Sequence, residues 1–254
     1  MWGGTWDVRR FEEIDSTNAY LHRQARLGAP EGMVAVAEHQ SAGRGRLDRR
    51  WESPPGASLL ASVLFRPDFD PSELHLCTAA MALAAAEACR RVAGVGPVLK
   101  WPNDVLVSEE KLAGVLAEAV FDGGRGFDGG PGGAVAVVVG LGLNIDWPGP
   151  AGAGGTSLCE LGAGPVDRAA LLGALLDALS ARRALLDSVT GRREVVAELR
   201  KRCATLGRRV RVELAAEAVV GVATEIDEAG HLVVRTSAGP RTVSAGDVVH
   251  LRPG

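Results

Sequence analysis

Two stretches of this chain decide its fold and its chemistry. They are Gln40-Ser41-Ala42-Gly43-Arg44-Gly45-Arg46, which closes on Trp51, and Lys100-Trp101-Pro102-Asn103-Asp104, which leads into Lys111-Leu112-Ala113-Gly114. Glycines let backbone N–H groups approach a bound anion, and fixed arginine and lysine charges offset the charge that builds up on phosphate. The pair therefore predicts a site for a phosphate-bearing anion, formed where two predicted strands run into loops.

Composition limits what kind of protein this is. The 254 residues fit one large domain, or a main domain with a small appendage. The net charge of −3 argues against a general nucleic-acid binder, which usually has a strong basic excess. Four cysteines and five histidines show neither zinc nor disulfide spacing. The sequence has no signal-peptide pattern and no apolar run near 20 residues, so we expect a reduced, soluble protein of the cytoplasm with no membrane partner.

The order of predicted elements favours an α+β fold. Asp15-Ser16-Thr17-Asn18 is a helix start, and a long alanine-rich helix should run from Pro71 to near Gly94. Helices should also run from Asp167 to Leu206 with one break near Thr190-Gly191. Strands are predicted at residues 33–38, 57–65, 98–101, 105–107, 111–120 and 134–140, with a glycine-rich loop of no assigned function at 122–133.

The pattern changes after Gly207 to short alternating strands that include Val210, Val212 and Leu214. We therefore expect two domains, residues 1–206 and residues 207–254. A piece of about 48 residues is marginal alone, so the second should be a small β-barrel packed on the first. The main domain should be a mixed or antiparallel sheet flanked by helices.

The glycine and arginine segment resembles the G-R-G-R-x-G-R-x-W segment of biotin protein ligases. Gln40, Arg44, Gly45 and Arg46 match by position, and Arg49 and Trp51 keep their places. Leu47-Asp48 departs from the family, which usually has a basic residue and a glycine there. The resemblance implies a loop that binds biotin and orders over the adenylate, and the departure affects how that loop closes.

The second segment matches the family signature K-W-P-N-D, and Lys111 to Glu118 resembles its K-x-x-G-[IV]-L-x-E strand. The resemblance implies that Lys111 contacts the biotin carboxyl and the α-phosphate. Asp104 is either the group that orients or deprotonates the acceptor lysine or an aspartate that caps a turn, and the sequence favours neither.

Two further motifs follow the family order. Gly140 to Asp146 lacks the third glycine of a dinucleotide loop and resembles the G-x-G-x-N strand that faces adenine, where Asn144 offers both donors and acceptors. Ser16-Thr17-Asn18 should cap a helix and, by resemblance, contact the biotin ureido ring as well.

The resemblance thus implies three sets of site residues. The catalytic set is Lys111, Arg46 and Asp104. The biotin-binding set is Ser16, Thr17, Asn18, Gln40, Gly43, Arg44, Gly45, Arg46 and Lys111. The set for ATP or the adenylate is Arg49, Trp51, Lys100, Asn103 and Asn144.

The implied enzyme couples biotin to ATP, with Mg²⁺ accompanying the nucleotide, and passes biotin to a lysine of a biotin carboxyl carrier domain. The implied fold is the class II synthetase-like biotin/lipoate ligase fold with an SH3-like barrel. A lipoate–protein ligase shares this fold and is the nearest alternative. A DNA-binding repressor is disfavoured because only about 15 residues precede Ser16, too few for a helix-turn-helix. A biotin-binding module without activity is disfavoured because Lys111 and both loop arginines are present. A homodimer stays open.

Overall fold

The computed structural model describes residues 5–121, 134–214 and 216–251, so the predicted loop at 122–133 lies outside the described residues. The helices are α1 (Thr17–Arg26), α2 (His75–Ala93), α3 (Arg168–Leu186) and α4 (Val189–Arg202), with a 3₁₀ turn at Pro71–Glu73. The strands are β1 (Asp7–Ile14), β2 (Met33–Gln40), β3 (Ser58–Phe65), β4 (Val98–Lys100), β5 (Asp104–Val107), β6 (Glu110–Phe121), β7 (Ala134–Asn144), β8 (Arg209–Glu213), β9 (Ala218–Ile226), β10 (Leu232–Thr236), β11 (Gly239–Val243) and β12 (Asp247–His250).

The main sheet has seven strands in the order β1-β2-β3-β7-β6-β5-β4. Strand β1 is parallel to β2, and the other neighbours are antiparallel, so the predicted mixed sheet is confirmed. Strand β1 was not predicted. It is an edge strand in which most side chains are exposed or half-buried, so its sequence lacks the apolar alternation of a core strand.

Helices cover both faces of this sheet. On one face, the buried alanines of α2 let the sheet and α3 approach closely, while α1 covers part of the other face. The predicted helix start is confirmed, because the Ser16 side chain accepts a hydrogen bond from Ala19 N–H. None of the helices in the described ranges is long and apolar enough to span a membrane.

The predicted helix break near Thr190-Gly191 is wrong by a few residues. The chain breaks at Asp187-Ser188, and Ser188 caps α4 by accepting from Gly191 N–H at 3.0 Å. Gly191 lies inside the first turn of α4, where a Cβ atom would overlap the carbonyl of Leu185. The glycine therefore marks a close helix contact and not the break. Helix α4 ends at Arg202, before the predicted Leu206.

The second sheet is antiparallel, with the order β11-β10-β9-β8-β12. Its edges, β11 and β12, are not paired with each other in the described residues, so the five strands form an open sheet consistent with an SH3-like fold and not a closed barrel. Strand β11 was missed because it begins Gly239-Pro240, a pair typical of turns.

The small sheet packs on the main domain, as predicted. Trp101 Nε1 donates to Gly230 O at 3.1 Å, and Arg46 Nη2 donates to Gly246 O at 3.1 Å. Val210, Val212 and Val248 belong to the same apolar core as α2 and the main sheet. The domain boundary at residue 206 stays a prediction.

The Gly/Arg loop (residues 40–51) leaves β2 and forms a short hairpin. The backbones of Arg44 and Arg50 form an antiparallel β-bridge. Gly45 N–H donates to Arg49 O at 2.7 Å, and Arg49 N–H donates to Arg46 O at 3.2 Å. The two residues at the tip, Leu47 and Asp48, have φ angles of 55° and 58°. A two-residue hairpin with positive φ at both positions is the type I′ pattern, which favours Asn-Gly. Leucine is poorly suited to this backbone, and its side chain is 65% exposed.

Replacing the tip with Asn-Gly should therefore stabilise the loop. We expect the double variant Leu47→Asn/Asp48→Gly to relieve backbone strain of about 1–3 kcal/mol and to slow tryptic cleavage within residues 44–50. The measurement is the rate of limited proteolysis. Leu27→Asn, which removes another exposed leucine far from the loop, is the matched control. Equal cleavage rates in the double variant and the unchanged protein would contradict this account.

His75 joins α2 to the small sheet. Its Nε2 lies 2.7 Å from Ala229 O and its Nδ1 lies 2.9 Å from Ser72 O. A neutral imidazole has one N–H and can donate to only one of these carbonyls. The ring stacks on His231 with centroids 5.0 Å apart, and Asp227 is the nearby carboxylate. Burial lowers the pKa of His75, with a smaller contribution from His231, while Asp227 and the two carbonyls oppose the shift.

This lowered pKa makes stability fall on acidification. Below about pH 6.5 an unfolded histidine takes up a proton that native His75 resists, so the unfolded state binds more protons. The free energy of unfolding should therefore decrease as the pH falls below about 6.5, until native His75 is protonated too. His75→Gln should flatten this dependence, as measured by urea unfolding from pH 7.5 to pH 5. The slope should not vanish, because burial also lowers the pKa of His250. His22→Gln is the control, and an undiminished slope in His75→Gln would refute the assignment.

Candidate functional site

One face of the main sheet has little side-chain volume where β6 and β7 meet. Gly140 and Gly142 point to the same face because they are two residues apart on β7, and Gly142 pairs with Gly114 of β6. A Cβ atom on Gly140 would overlap the Asn18 amide, and one on Gly142 would overlap the Trp51 ring. The G-x-G motif therefore makes room for two side chains from other elements.

A cavity of about 960 Å³ opens over this face. Every predicted site residue except Gly43 lines it, so the structure brings all four motifs together. Gly43 has a different position: a Cβ atom there would overlap the Trp51 carbonyl, and Trp51 N–H donates to Gly43 O at 3.1 Å. Gly43 thus closes the base of the hairpin.

The end of the cavity below α1 is polar and uncharged. Thr17 donates to Gln40 Oε1 from its backbone N–H at 2.7 Å and from its hydroxyl at 3.0 Å. The Thr17 hydroxyl lies 2.7 Å from Ser62 Oγ, which donates to Asn18 Oδ1 at 2.6 Å. These buried groups hold one another in fixed orientations, as a site for a neutral polar ring requires.

That network continues into the Gly/Arg loop. Asn18 Nδ2 donates to Glu118 Oε2 at 2.7 Å, and Arg44 Nη2 donates to the same oxygen at 3.1 Å. Glu118 therefore links the first turn of α1 to the loop. Ser62 and Glu118 were not predicted as site residues. Glu118 had a signal, since it ends the K-x-x-G-[IV]-L-x-E pattern, whereas Ser62 sits in an apolar strand with none.

The middle of the cavity holds Lys111, Asp104 and Trp51. Lys111 Nζ forms an ion pair with Asp104 Oδ1 at 2.6 Å and lies 5.8 Å from the centre of the Trp51 ring. The Asp104 carboxylate and the Lys111 ammonium thus lie side by side in the cavity as a pair of opposite charges. The Trp51 indole Nε1 is buried and has no hydrogen-bond partner among the described residues, so this lining residue carries an unsatisfied donor.

The arginines of the hairpin reach across to the small sheet. Arg46 donates to Asn103 Oδ1 at 2.9 Å and to Gly246 O at 3.1 Å, and Arg49 is paired with Asp247. Burial lowers the pKa of Arg46, although Asp247 and Asp104 nearby oppose the shift. Both direct acceptors of Arg46 are neutral, so its charge is weakly compensated and suits an incoming anion. No sequence signal pointed to Gly246 or Asp247.

Asn103 and Asn144 mainly position other groups. Asn103 Nδ2 donates to Val115 O at 2.9 Å, and Asn103 Oδ1 accepts a hydrogen bond from Arg46. Both ends of the amide are therefore hydrogen-bonded within the protein. Asn144 Nδ2 lies within reach of three carbonyl oxygens, with Thr156 O at 2.9 Å and Pro148 O at 3.1 Å as the closest. The Asn144 amide therefore holds the 148–156 segment against the cavity. Direct contact between either amide and a nucleotide stays a prediction.

The remaining end of the cavity is charged. Lys100, Glu109, Arg208 and His250 line it, next to the Arg49–Asp247 pair. Lys100 forms no ion pair with any other residue that the structure describes, which fits its predicted role toward phosphate.

Comparison with known proteins agrees with this geometry. Residues 10–142 match the Biotin/lipoate A/B protein ligase family, and residues 205–251 match the Biotin protein ligase C terminal domain. A biotin–[acetyl-CoA-carboxylase] ligase of Mycobacterium tuberculosis is 38% identical over 247 residues, which cover 94% of this chain and 87% of the relative. A ligase of the same name from Paracoccus denitrificans is 31% identical over 251 residues, covering 92% of this chain and 96% of the relative.

Solved structures give the same result. The biotin protein ligase of Aquifex aeolicus in complex with biotin and ATP superposes with a TM-score of 0.81 at 25% identity, covering 97% of this chain and 99% of that one. The matched family spans more than half of the chain, and the Mycobacterium relative aligns over nearly all of it. The chain therefore belongs to the biotin/lipoate A/B protein ligase family.

Proposed function

We propose that this protein is a biotin–[biotin carboxyl-carrier protein] ligase. It activates biotin with ATP to biotinyl-5′-AMP and pyrophosphate, and then transfers biotin to a specific lysine of the carrier domain of a biotin-dependent carboxylase such as acetyl-CoA carboxylase. The observation that carries the proposal is a cavity, lined by all four motifs, that joins a neutral polar end to a cationic centre. The names of the aligned relatives support biotin as the acid.

In the first step a biotin carboxylate oxygen bonds to the α-phosphorus of ATP, and the bond to the bridging oxygen of the β-phosphate breaks. Ser16, Thr17, Asn18 and Gln40 orient the ureido ring. Lys111 and Arg46 stabilise the negative charge that gathers on the carboxylate and the α-phosphate, because a fixed cation in a water-poor site is effective at that point. Trp51 and the hairpin exclude water from the adenylate.

In the second step the carrier lysine attacks the biotinyl carbonyl and AMP leaves. The amine is nucleophilic only when it is neutral. Asp104, beside Lys111 in the middle of the cavity, orients the incoming ammonium and accepts its proton. Lys111 and Asp104 form an ion pair with each other. In this proposal the α-phosphate takes the place of Asp104 as the partner of Lys111, and Asp104 is then free to bind the amine.

Mg²⁺ accompanies the nucleotide in this proposal. The described residues contain no cluster of three side chains of the metal-binding types. Mg²⁺ usually keeps several waters and is bound by substrate phosphates with one or two carboxylates. Glu109 and Asp247 are the carboxylates at the charged end, and the protein's contribution would be to orient the phosphates that would carry the ion.

Further expectations follow from the same assignment. We propose that residues 1–206 bind biotin and ATP, while residues 207–254 complete the wall behind the hairpin. The protein should act in the cytoplasm and should bind no operator DNA, in keeping with its net charge of −3. Sedimentation velocity with and without biotin and ATP would test for a homodimer.

The first prediction from this proposal is the product of the half-reaction. Incubation with ATP and labelled biotin should give biotinyl-5′-AMP without any carrier, detected by chromatography. The parallel incubation with labelled lipoate should give no lipoyl adenylate. Lipoate activation without biotin activation would move the protein to the other branch of its family.

The second prediction concerns Lys111. Lys111→Ala should slow adenylate formation by roughly 10²–10³, the size of the loss on removing one transition-state donor, and should weaken biotin binding much less. The measurements are single-turnover rates and calorimetric titration with biotin. Lys201→Ala, at an exposed lysine of α4, is the matched control.

The Lys111 experiment needs one more variant, because Lys111→Ala also leaves Asp104 without its partner. If the loss of rate came only from an unpaired Asp104, the double variant Lys111→Ala/Asp104→Asn would recover it. We expect no recovery of adenylate formation, and a restored rate would show that Lys111 acts only as a partner of Asp104.

A further inference from the structure

Arg208, just before β8, reaches the charged end of the cavity and is held there by Glu109 of the β5–β6 turn. Its Nη1 donates to Glu109 Oε2 at 2.7 Å, and its Nη2 contacts the other carboxylate oxygen. The contact is therefore bidentate. A guanidinium fork fits carboxylate and phosphate oxygens in the same planar geometry, so Glu109 occupies Arg208 as a phosphate would.

The turn that presents Glu109 is unusual for its sequence. Ser108 and Glu109 have φ angles of 48° and 74°, and neither is a glycine or an asparagine. Non-glycine residues in this region tend to persist at sites with a function. The turn places the carboxylate at the cavity, yet the Arg208–Glu109 pair is largely exposed and contributes little to stability. Stability alone thus gives a weak reason for this arrangement.

Other cations face the same end. Lys100 lies on the wall without an ion-pair partner among the described residues, and Arg49 is held by Asp247. His250 lies close by, with Nε2 3.1 Å from Thr205 Oγ1 and Nδ1 3.7 Å from Glu109 Oε2. Burial, Lys100 and Arg208 all lower the pKa of His250, so the ring is disfavoured as a further cation there. Arg208 and Lys100 are therefore the groups available to phosphate oxygens.

We infer that Arg208, together with Lys100, binds the β- and γ-phosphates of ATP and then the leaving pyrophosphate, and that Glu109 competes with them for Arg208. The inference rests on the proposed function for the identity of the nucleotide reaction. In the proposed function the polar end binds the ureido ring, and the central cations bind the carboxylate and the α-phosphate. The charged end is the part of the cavity that remains for the departing pyrophosphate. Glu109 thus holds Arg208 in a phosphate-ready orientation until the nucleotide displaces it.

The two partners of this ion pair should therefore act in opposite directions. Arg208→Ala should raise the KM for ATP and weaken pyrophosphate binding by roughly 10- to 100-fold, the cost of losing charge-assisted hydrogen bonds. Glu109→Gln should lower the KM for ATP and the Kd for pyrophosphate, because the side chain that competes for Arg208 loses its charge. A purely structural ion pair would instead give similar defects in both variants.

The experiment separates the subsite from the rest of the enzyme. Calorimetric titration measures pyrophosphate and biotin binding to each variant, and steady-state rates give the KM for ATP. Transfer from synthetic biotinyl-5′-AMP to a carrier domain should be unchanged in Arg208→Ala, since the adenylate has no β- or γ-phosphate. Arg209→Ala, an exposed neighbour, is the matched control, and Arg208→Gln serves if the alanine variant folds poorly.

The outcomes distinguish this inference from the proposed function. If the unchanged protein makes no biotinyl-5′-AMP but Arg208→Ala still loses pyrophosphate binding, the proposed function fails and the phosphate subsite stands. If the unchanged protein makes the adenylate while pyrophosphate binding and the KM for ATP are the same in Arg208→Ala and Arg209→Ala, the subsite is refuted. Parallel defects in Arg208→Ala and Glu109→Gln would refute the competition.

Discussion

The absence of side chains at Gly114, Gly140 and Gly142 is the constraint on which the site depends. Along β7, Val137, Val139, Leu141 and Leu143 fill the face toward α2, while Ala136 and Val138 pack under α1 on the other face. The next two positions on that second face are Gly140 and Gly142. The space that two apolar side chains would fill there is occupied by Asn18 and Trp51. One strand thus supports a packed core and a cavity through the same two-residue alternation.

The small sheet completes this cavity from the far side. Arg46 binds Gly246 O, Arg49 binds Asp247, and Arg208 brings a third guanidinium from the segment before β8. Trp101, inside the K-W-P-N-D segment, donates to Gly230 and fixes the two sheets together directly behind the site. Displacement of the small sheet would therefore change the positions of the loop arginines. The two matched sequence regions form one functional unit.

The sequence predicts most strands and helices of this fold because their apolar periodicity is local. It misses β1, whose exposed edge has little periodicity, and it misplaces the α3–α4 break because Gly191 marks a close contact. The sequence predicts those site residues that lie within one of the four motifs. Asp247, Arg208 and Glu109 are not predicted, because their position depends on how the small sheet docks, and no local pattern encodes that. The sequence also predicts adenine contact for Asn144, but not that its amide would hold the 148–156 segment.

Charge pairing explains how the cavity keeps so many cations without a ligand. Arg44, Arg49, Lys111 and Arg208 each face one carboxylate, from Glu118, Asp247, Asp104 and Glu109 respectively. Arg46 and Lys100 have no direct carboxylate partner among the described residues, so they are the cations of the site best placed to attract an acid and a nucleotide. The paired cations are already oriented, and an arriving phosphate replaces a carboxylate without reorganising the guanidinium or ammonium group. The carboxylates lower the cost of keeping these cations out of water before the ligand binds. After the exchange, the same cations are fixed charges that stabilise the transition state.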